Sequence, residues 1–141
     1  MDNTLQEFNR LQRLIDGAYH EAAVRLGLSD SELWLIYTLS SCTGGCPQAE
    51  LCRATAMTKT TVNSALKKLE RQGIVRLTPD GGRSTRVLFT EEGAALAART
   101  AGRLMELESG IYDGWTPEER ALLLRLNRDF AEKLSAWVRS L

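Results

Sequence analysis

The chain contains a single histidine, His20, among 141 residues. It carries no nucleophile motif, no phosphate-cradling glycine loop and no metal-ligand spacing, so an enzyme, the main rival from another function class, finds little chemistry to work with. No apolar run approaches the ~20 residues needed to cross a bilayer. The opening Met-Asp-Asn-Thr-Leu-Gln-Glu has neither the basic head nor the apolar core of a signal peptide, which points to the cytoplasm. Three cysteines are an odd number, better read as thiols than as a disulfide framework. There is no low-complexity tract, and neither sign of charge is in excess, because the net charge is zero.

That zero conceals a division. Residues 51–90 hold eight cations (Arg53, Lys59, Lys67, Lys68, Arg71, Arg76, Arg83, Arg86) against Glu70 and Asp80, a net +6, and the remainder carries −6. A basic middle between acidic flanks gives one face suited to phosphate, and a sequence-independent part of an affinity for nucleic acid would follow from it.

Within the basic segment, residues 57–73 have the pattern of a groove-reading helix. Val62, Ala65, Leu66 and Leu69 make an apolar stripe, and Thr60, Ser64, Lys67 and Arg71 lie opposite with Asn63 beside them. A surface helix usually alternates Glu and Lys for intrahelical pairs. Here Glu70, at the edge of the exposed face, is the only acid. Lys59, Thr60, Thr61, Asn63, Ser64 and Lys67 fall in the half of the helix that meets base edges, where they would read bases or hold phosphates.

The flanking elements can be placed by their ends. Phe8, Leu11, Ile15, Ala18 and Ala22 follow helical spacing up to Gly27, and Ser29-Asp30-Ser31-Glu32 is a capping box for a second helix. Thr43-Gly44-Gly45 breaks that helix, and Pro47 suits the first turn of a third, running through about Ala54. Thr58 caps the fourth, and Gly73 closes it. The period then changes: Ile74–Thr78 and Arg86–Phe89 flank Pro79-Asp80-Gly81-Gly82-Arg83-Ser84-Thr85, a β-hairpin with a basic tip. Thr90 caps a long fifth helix, with bends expected at Gly102 or Gly110, and Thr116-Pro117-Glu118-Glu119 opens the last.

Three helices followed by a hairpin make a winged helix-turn-helix in a mainly α (α+β) chain. The reading assigns residues 29–90 to DNA binding and residues 1–28 and 91–141 to a helical dimerisation region. Leu5, Phe8 and Leu11 at one end and Phe130, Leu134 and Trp137 at the other would leave a large apolar patch on a monomer. A twofold dimer would cover it and set two recognition helices about one DNA turn apart (~34–36 Å), which calls for a near-palindromic operator.

From Leu28 to Gly93 the chain resembles the MarR family of bacterial transcription regulators. The resemblance rests on Leu28-Ser29-x-x-Glu32, Gln48-Ala49-Glu50-Leu51, Thr58-Lys59-Thr60-Thr61-Val62, Lys68-Leu69-Glu70-Arg71-Gln72-Gly73-Ile74-Val75 and Phe89-Thr90-Glu91-Glu92-Gly93. It implies an obligate dimer whose fourth helix reads the major groove while a wing arginine reaches the minor groove. The family often has Asp-x-Arg in the wing, whereas this chain has Asp80-Gly81-Gly82-Arg83. Counted back from Thr90, Arg83 still occupies the wing-arginine position and Asp80 is displaced, so Arg83 is expected on DNA and the role of Asp80 is open. The family often releases DNA when an aromatic or phenolic compound fills a pocket, for which Tyr19, His20, Trp34 and Tyr37 are candidates here; aromatics at helical spacing are otherwise plain core.

Three further expectations concern single residues. Arg86 joins Arg83 as a DNA contact, against the alternative that both merely solubilise the hairpin. Gln48, at the start of the third helix, is a phosphate ligand or only a helix-start residue. Cys46 would be a redox sensor if Pro47 begins the third helix and leaves the thiol at its mouth; the plainer account buries Cys42 and Cys52 in small slots and leaves Cys46 at an apolar position. No metal or cofactor is expected. The reading is a dimeric, sequence-specific repressor released by a small molecule or thiol signal, and its alternative is a winged-helix protein-assembly module.

Overall fold

The structure is a computed structural model that describes residues 3–141. Its elements in chain order are α1 (Asn3–Leu26), α2 (Asp30–Ser40), β1 (Cys46–Pro47), α3 (Gln48–Thr55), α4 (Lys59–Arg71), β2 (Val75–Pro79), β3 (Thr85–Phe89), α5 (Glu91–Arg99), α6 (Ala101–Asp113) and α7 (Pro117–Val138). They fall into two compact units divided between Leu104 and Met105. The first holds the winged helix-turn-helix together with α1 and α5, and the second holds most of α6 and all of α7.

In the first unit α2 is the central helix. It packs on α1, α3, α4, α5 and β3, so apolar side chains are needed on more than one side. Leu33, Leu35, Ile36 and Leu39 meet that need and are all buried. Val62, Ala65, Leu66 and Leu69 supply the facing stripe of α4, and Leu51 that of α3. Each fully buried Leu or Val of this group stabilises the fold by roughly 1.5–3 kcal/mol before chain entropy is set against it.

The start of α2 is held by a full capping box: Glu32 N donates to Ser29 Oγ (3.1 Å), and Ser29 N donates to Glu32 Oε1 (2.9 Å). The same carboxylate takes Lys68 Nζ at 3.4 Å, which ties α4 to α2. Burial alone would push the Glu32 carboxyl up. The Ser29 donors and the Lys68 charge outweigh it and hold the carboxyl below its ordinary value. A depressed carboxylate adds stability that is present above the unfolded value, ~4.3, and is lost as pH falls through the folded one. Glu32→Gln is therefore expected to cost about 1–2 kcal/mol at pH 7, since Lys68 can return to water. In urea titrations the gap from wild type should narrow as pH falls below the unfolded value of ~4.3; a gap that does not narrow anywhere on the acid side would contradict this role.

The sheet has order β1-β3-β2 and is antiparallel throughout. In the hairpin Leu77 faces Val87 and Pro79 faces Thr85, close to the expected span. The short β1 corrects the expectation for Pro47. Cys46 pairs with Val87 and Pro47 with Arg86, so Pro47 is the extended N-cap of α3 (ψ 140°) and not part of its first turn. Gly45 makes that pairing accessible: it sits at φ +87°, and a Cβ there would lie 2.6 Å from Val87 O.

The fifth helix is broken, but not at a glycine. Thr100 separates α5 from α6 at φ −119° and ψ −88°. Its hydroxyl donates to Leu96 O (2.7 Å) and its N–H to Ala97 O (3.3 Å), a local bonding pattern that competes with the helical ladder. Gly102 and Gly110 both lie inside α6. In the second unit Thr116 and Glu119 form the expected capping box with Pro117 in the first turn of α7.

Candidate nucleic-acid interface

Thr58 caps α4 by accepting Thr61 N (3.2 Å) and donates its own proton to Thr61 Oγ1 (2.9 Å). That start is fixed without any acidic residue, and the helix dipole leaves it electropositive. Lys59, Thr60, Thr61, Ser64 and Lys67 are exposed, and Asn63 is half-buried beside them. The stripe behind them fills the core, so the polar face has one orientation relative to the fold.

The wing stands across a cleft of about 630 Å³ from this face. Gln48 of α3, Lys59 and Asn63 of α4, and Arg83 of the wing tip all line it, together with Ser84 and Thr85. The tip is tight: Ser84 N donates to Gly81 O and Asp80 N to Ser84 O, each at 3.0 Å. Gly81 (φ +82°) and Gly82 (φ +53°) give the turn that carries Arg83 out to solvent.

Four expected contact residues thus share one opening. Ser84 and Thr85 were not anticipated, because only hairpin closure places them there.

Arg86 has partners within the protein. Its Nε donates to Asp80 Oδ1 (3.1 Å), and its Nη1 reaches Gly44 O (3.3 Å) and Gly45 O (3.2 Å). The guanidinium is a clasp between the wing base and the loop before β1, unlike the unpaired Arg83. Asp80, whose role the sequence left open, is the other half of that clasp. Gln48 also has a partner in the protein: Nε2 donates to Asn63 Oδ1.

Three of the eight cations of the central segment are paired where it folds. Lys68 is taken by Glu32, Arg53 by Glu50 and Arg86 by Asp80. Among the described residues, Lys59, Lys67, Arg71, Arg76 and Arg83 keep no acidic partner.

Known proteins share this fold. The sequence model of the MarR family matches residues 26–84, from the end of α1 to the wing tip. The transcriptional repressor NicR of Pseudomonas putida is 32% identical over 140 residues, covering 91% of this chain and 87% of the relative. The chain belongs to the MarR family of transcriptional regulators. A MarR family regulator from Silicibacter pomeroyi superposes with TM-score 0.70 at 29% identity, covering 89% of this chain and 86% of that one. One from Neisseria meningitidis has the same fold, with TM-score 0.84 at 20% identity over 99% of both chains.

In this MarR-family chain the four aromatic-pocket candidates separate. Tyr19 and Trp34 rings lie 4.9 Å apart, and Trp34 and Tyr37 5.5 Å apart. Trp34 and Tyr37 line a cavity of about 310 Å³ with Thr38, Ala54 and Thr55. Tyr19 backs Trp34 without lining that cavity, and His20 is engaged elsewhere, its Nδ1 2.9 Å from Asp30 Oδ1. Ala54 and Thr55 carried no signal in sequence because α3 meets α2 only in the fold.

Cys46 is also corrected. It lies buried in β1, and burial, reinforced by the neighbouring Cys42, pushes its thiol up to about 12. The premise of a thiolate at a helix mouth fails. Iodoacetamide at pH 8 is expected to modify the half-buried Cys42 and Cys52 well before Cys46, as read by peptide mass mapping; early labelling of Cys46 would contradict its burial. Among the described residues no group of three or more His, Cys, Asp or Glu could hold a metal, and no helix is long and apolar enough to cross a membrane.

Proposed function

We propose that this regulator is a cytoplasmic homodimer that represses transcription by occupying a near-palindromic duplex operator. The observation that carries the reading is the shared cleft: Lys59 and Asn63 of α4 open onto the same space as Arg83 of the wing. Lys59, Thr60, Thr61, Asn63, Ser64 and Lys67 would enter the major groove, and Arg83 the adjacent minor groove. Repression accords with the name of NicR, a repressor.

Dimerisation is supported by apolar surface in each unit taken by itself. No residue of α7 is buried, although it carries Leu122, Leu126, Phe130, Leu134 and Trp137. On α1, Leu5, Leu11, Leu14 and Ile15 are exposed as well. Residues 1–28 and 91–141 would form the dimer region and 29–90 the DNA-binding region. The cavity at Trp34 and Tyr37 suits a small aromatic effector, and the state of Cys46 favours such a ligand over a thiol signal there.

The test is a salt titration with a duplex selected from a random pool. Affinity should fall steeply with salt, and the selected near-palindrome should exceed a scrambled duplex by ~10³-fold or more. Weak, uniform binding to every duplex would favour the assembly module instead. A salicylate-like compound should raise the melting temperature of wild type but not of Trp34→Ala.

A further inference from the structure

The turn that leads from α3 into α4 is lightly held. Among the described residues Ala56 is the one non-glycine with a left-handed backbone, at φ 57°. Such a conformation persists only where its surroundings hold it. Two hydrogen bonds tie it, and both are long: Ala56 N donates to Arg53 O at 3.4 Å, and Met57 N donates to Thr55 Oγ1 at 3.4 Å. The next residue is Thr58, whose side chain caps the recognition helix. The Thr55 hydroxyl gives its own proton to Leu51 O at 2.6 Å, so toward Met57 it can only accept, and a backbone N–H can only donate.

Thr55 is also a wall of the cavity at Trp34 and Tyr37. At about 310 Å³ that cavity stands at the lower end of the ~300–1,000 Å³ that small-molecule sites span. An occupant of aromatic size therefore has little room to avoid the Thr55 side chain. One side chain thus belongs both to the cavity and to the tie that precedes the cap of α4.

We propose that Thr55 is the positioning residue through which occupancy of this cavity reaches the recognition helix: an occupant displaces the Thr55 hydroxyl, the Met57 N–H loses its acceptor, and the start of α4 shifts. The inference rests on the operator and effector readings above. In the empty protein the tie keeps the turn in its operator-binding form. An occupant binds more tightly to the form in which the turn has yielded, and that difference is what lowers operator affinity.

The decisive variant is Thr55→Val, which has nearly the same shape and no acceptor. Empty Thr55→Val should bind the selected operator about tenfold more weakly than wild type, the effect of a modest hydrogen bond lost in each protomer. The probes are salicylate, 4-hydroxybenzoate and phenol, each at saturating concentration. A probe that raises the melting temperature of wild type should weaken its operator binding by a similar factor. The same probe should raise the melting temperature of Thr55→Val and leave its operator affinity unchanged. Thr55→Ser keeps the hydroxyl and should respond as wild type does. A residue that only stabilised α3 would lower affinity too, but the ratio of affinities with and without probe would stay as in wild type.

An undiminished probe response in Thr55→Val would overturn the inference and leave the effector site standing. A probe that raises the wild-type melting temperature without changing operator affinity overturns it as well. Failure of saturating probe to shift the melting temperature of Thr55→Val would make Thr55 a ligand contact only, which is likewise fatal to the coupling. If none of the three probes shifts wild type, the effector reading of the cavity and this inference fall together. Should Thr55→Val lack the wild-type circular dichroism spectrum, the Met57 amide of wild type decides: with probe bound its hydrogen exchange should quicken about fivefold, and unchanged exchange overturns the inference.

Discussion

Gly93→Ala is expected to destabilise the protein by about 3 kcal/mol or more, lowering the melting temperature by roughly 10 °C. Gly93 lies in the first turn of α5, where Thr90 Oγ1 accepts its N–H at 3.0 Å. The same threonine binds back to the end of the recognition helix segment: Thr90 N donates to Ile74 O at 3.0 Å, and its hydroxyl donates to the Gly73 and Ile74 carbonyls. These bonds draw the helix start onto the backbone of residue 74. A Cβ on Gly93 would lie 1.8 Å from Ile74 O and 2.8 Å from Ile74 C. No side-chain rotation relieves an overlap with backbone, so either the Thr90 clasp opens or α5 moves off the wing base. Gly93 is not at positive φ, which makes the cost one of space rather than of conformation.

Gly17→Ala provides the contrast. That glycine lies within α1, and beyond the adjoining helix backbone nothing described lies within 4 Å of a Cβ built there. Helix propensity alone should then favour alanine by ~0.8–1 kcal/mol. Urea midpoints that move in opposite directions for the two variants would support the packing account. A Gly93→Ala midpoint equal to wild type would refute it.

What the sequence disclosed divides along the range of the interactions. Ser29 with Glu32, Thr58, and Thr116 with Glu119 bond within four residues, so each helix start is written in its own segment. The α4 stripe was equally plain, because period alone separates Val62 and Leu66 from Thr60 and Lys67. What stayed hidden lies where a residue's surroundings depend on something distant in sequence. Cys46 pairs with Val87 in the sheet, and its burial there, with Cys42 beside it, raises its thiol. Arg86 resembled Arg83 in composition and position, yet the Gly44 and Gly45 carbonyls, some forty residues earlier, turn it inward. Thr100 broke a helix for which glycines were the natural suspects, because a buried threonine bonds to the carbonyl four residues back. The candidate interface was legible as a list of residues. Its division into groups that face the cleft and groups that support it was not.

That division yields the second large effect. Arg83→Ala is expected to weaken operator binding by about 30- to 1,000-fold while leaving stability within ~0.5 kcal/mol of wild type. Arg83 is exposed, has no acidic partner and sits on a glycine turn, so the fold loses nothing measurable when it goes. On DNA one such contact is worth ~1–2 kcal/mol, and a symmetric dimer loses it twice. Arg86→Ala should show the reverse emphasis. Removing the clasp to Asp80, Gly44 and Gly45 is expected to cost about 1 kcal/mol of stability. Its effect on binding should be smaller than that of Arg83→Ala and should come through a loosened wing. The salt slope separates the two further: losing two DNA-bound cations per dimer should make the slope for Arg83→Ala shallower by about two, and Arg86→Ala should leave it nearly unchanged. Fluorescence anisotropy at four salt concentrations, beside a thermal melt of each variant, measures every one of these quantities. If Arg83→Ala binds the operator within twofold of wild type, the wing does not touch DNA, and selectivity would rest on α4 alone.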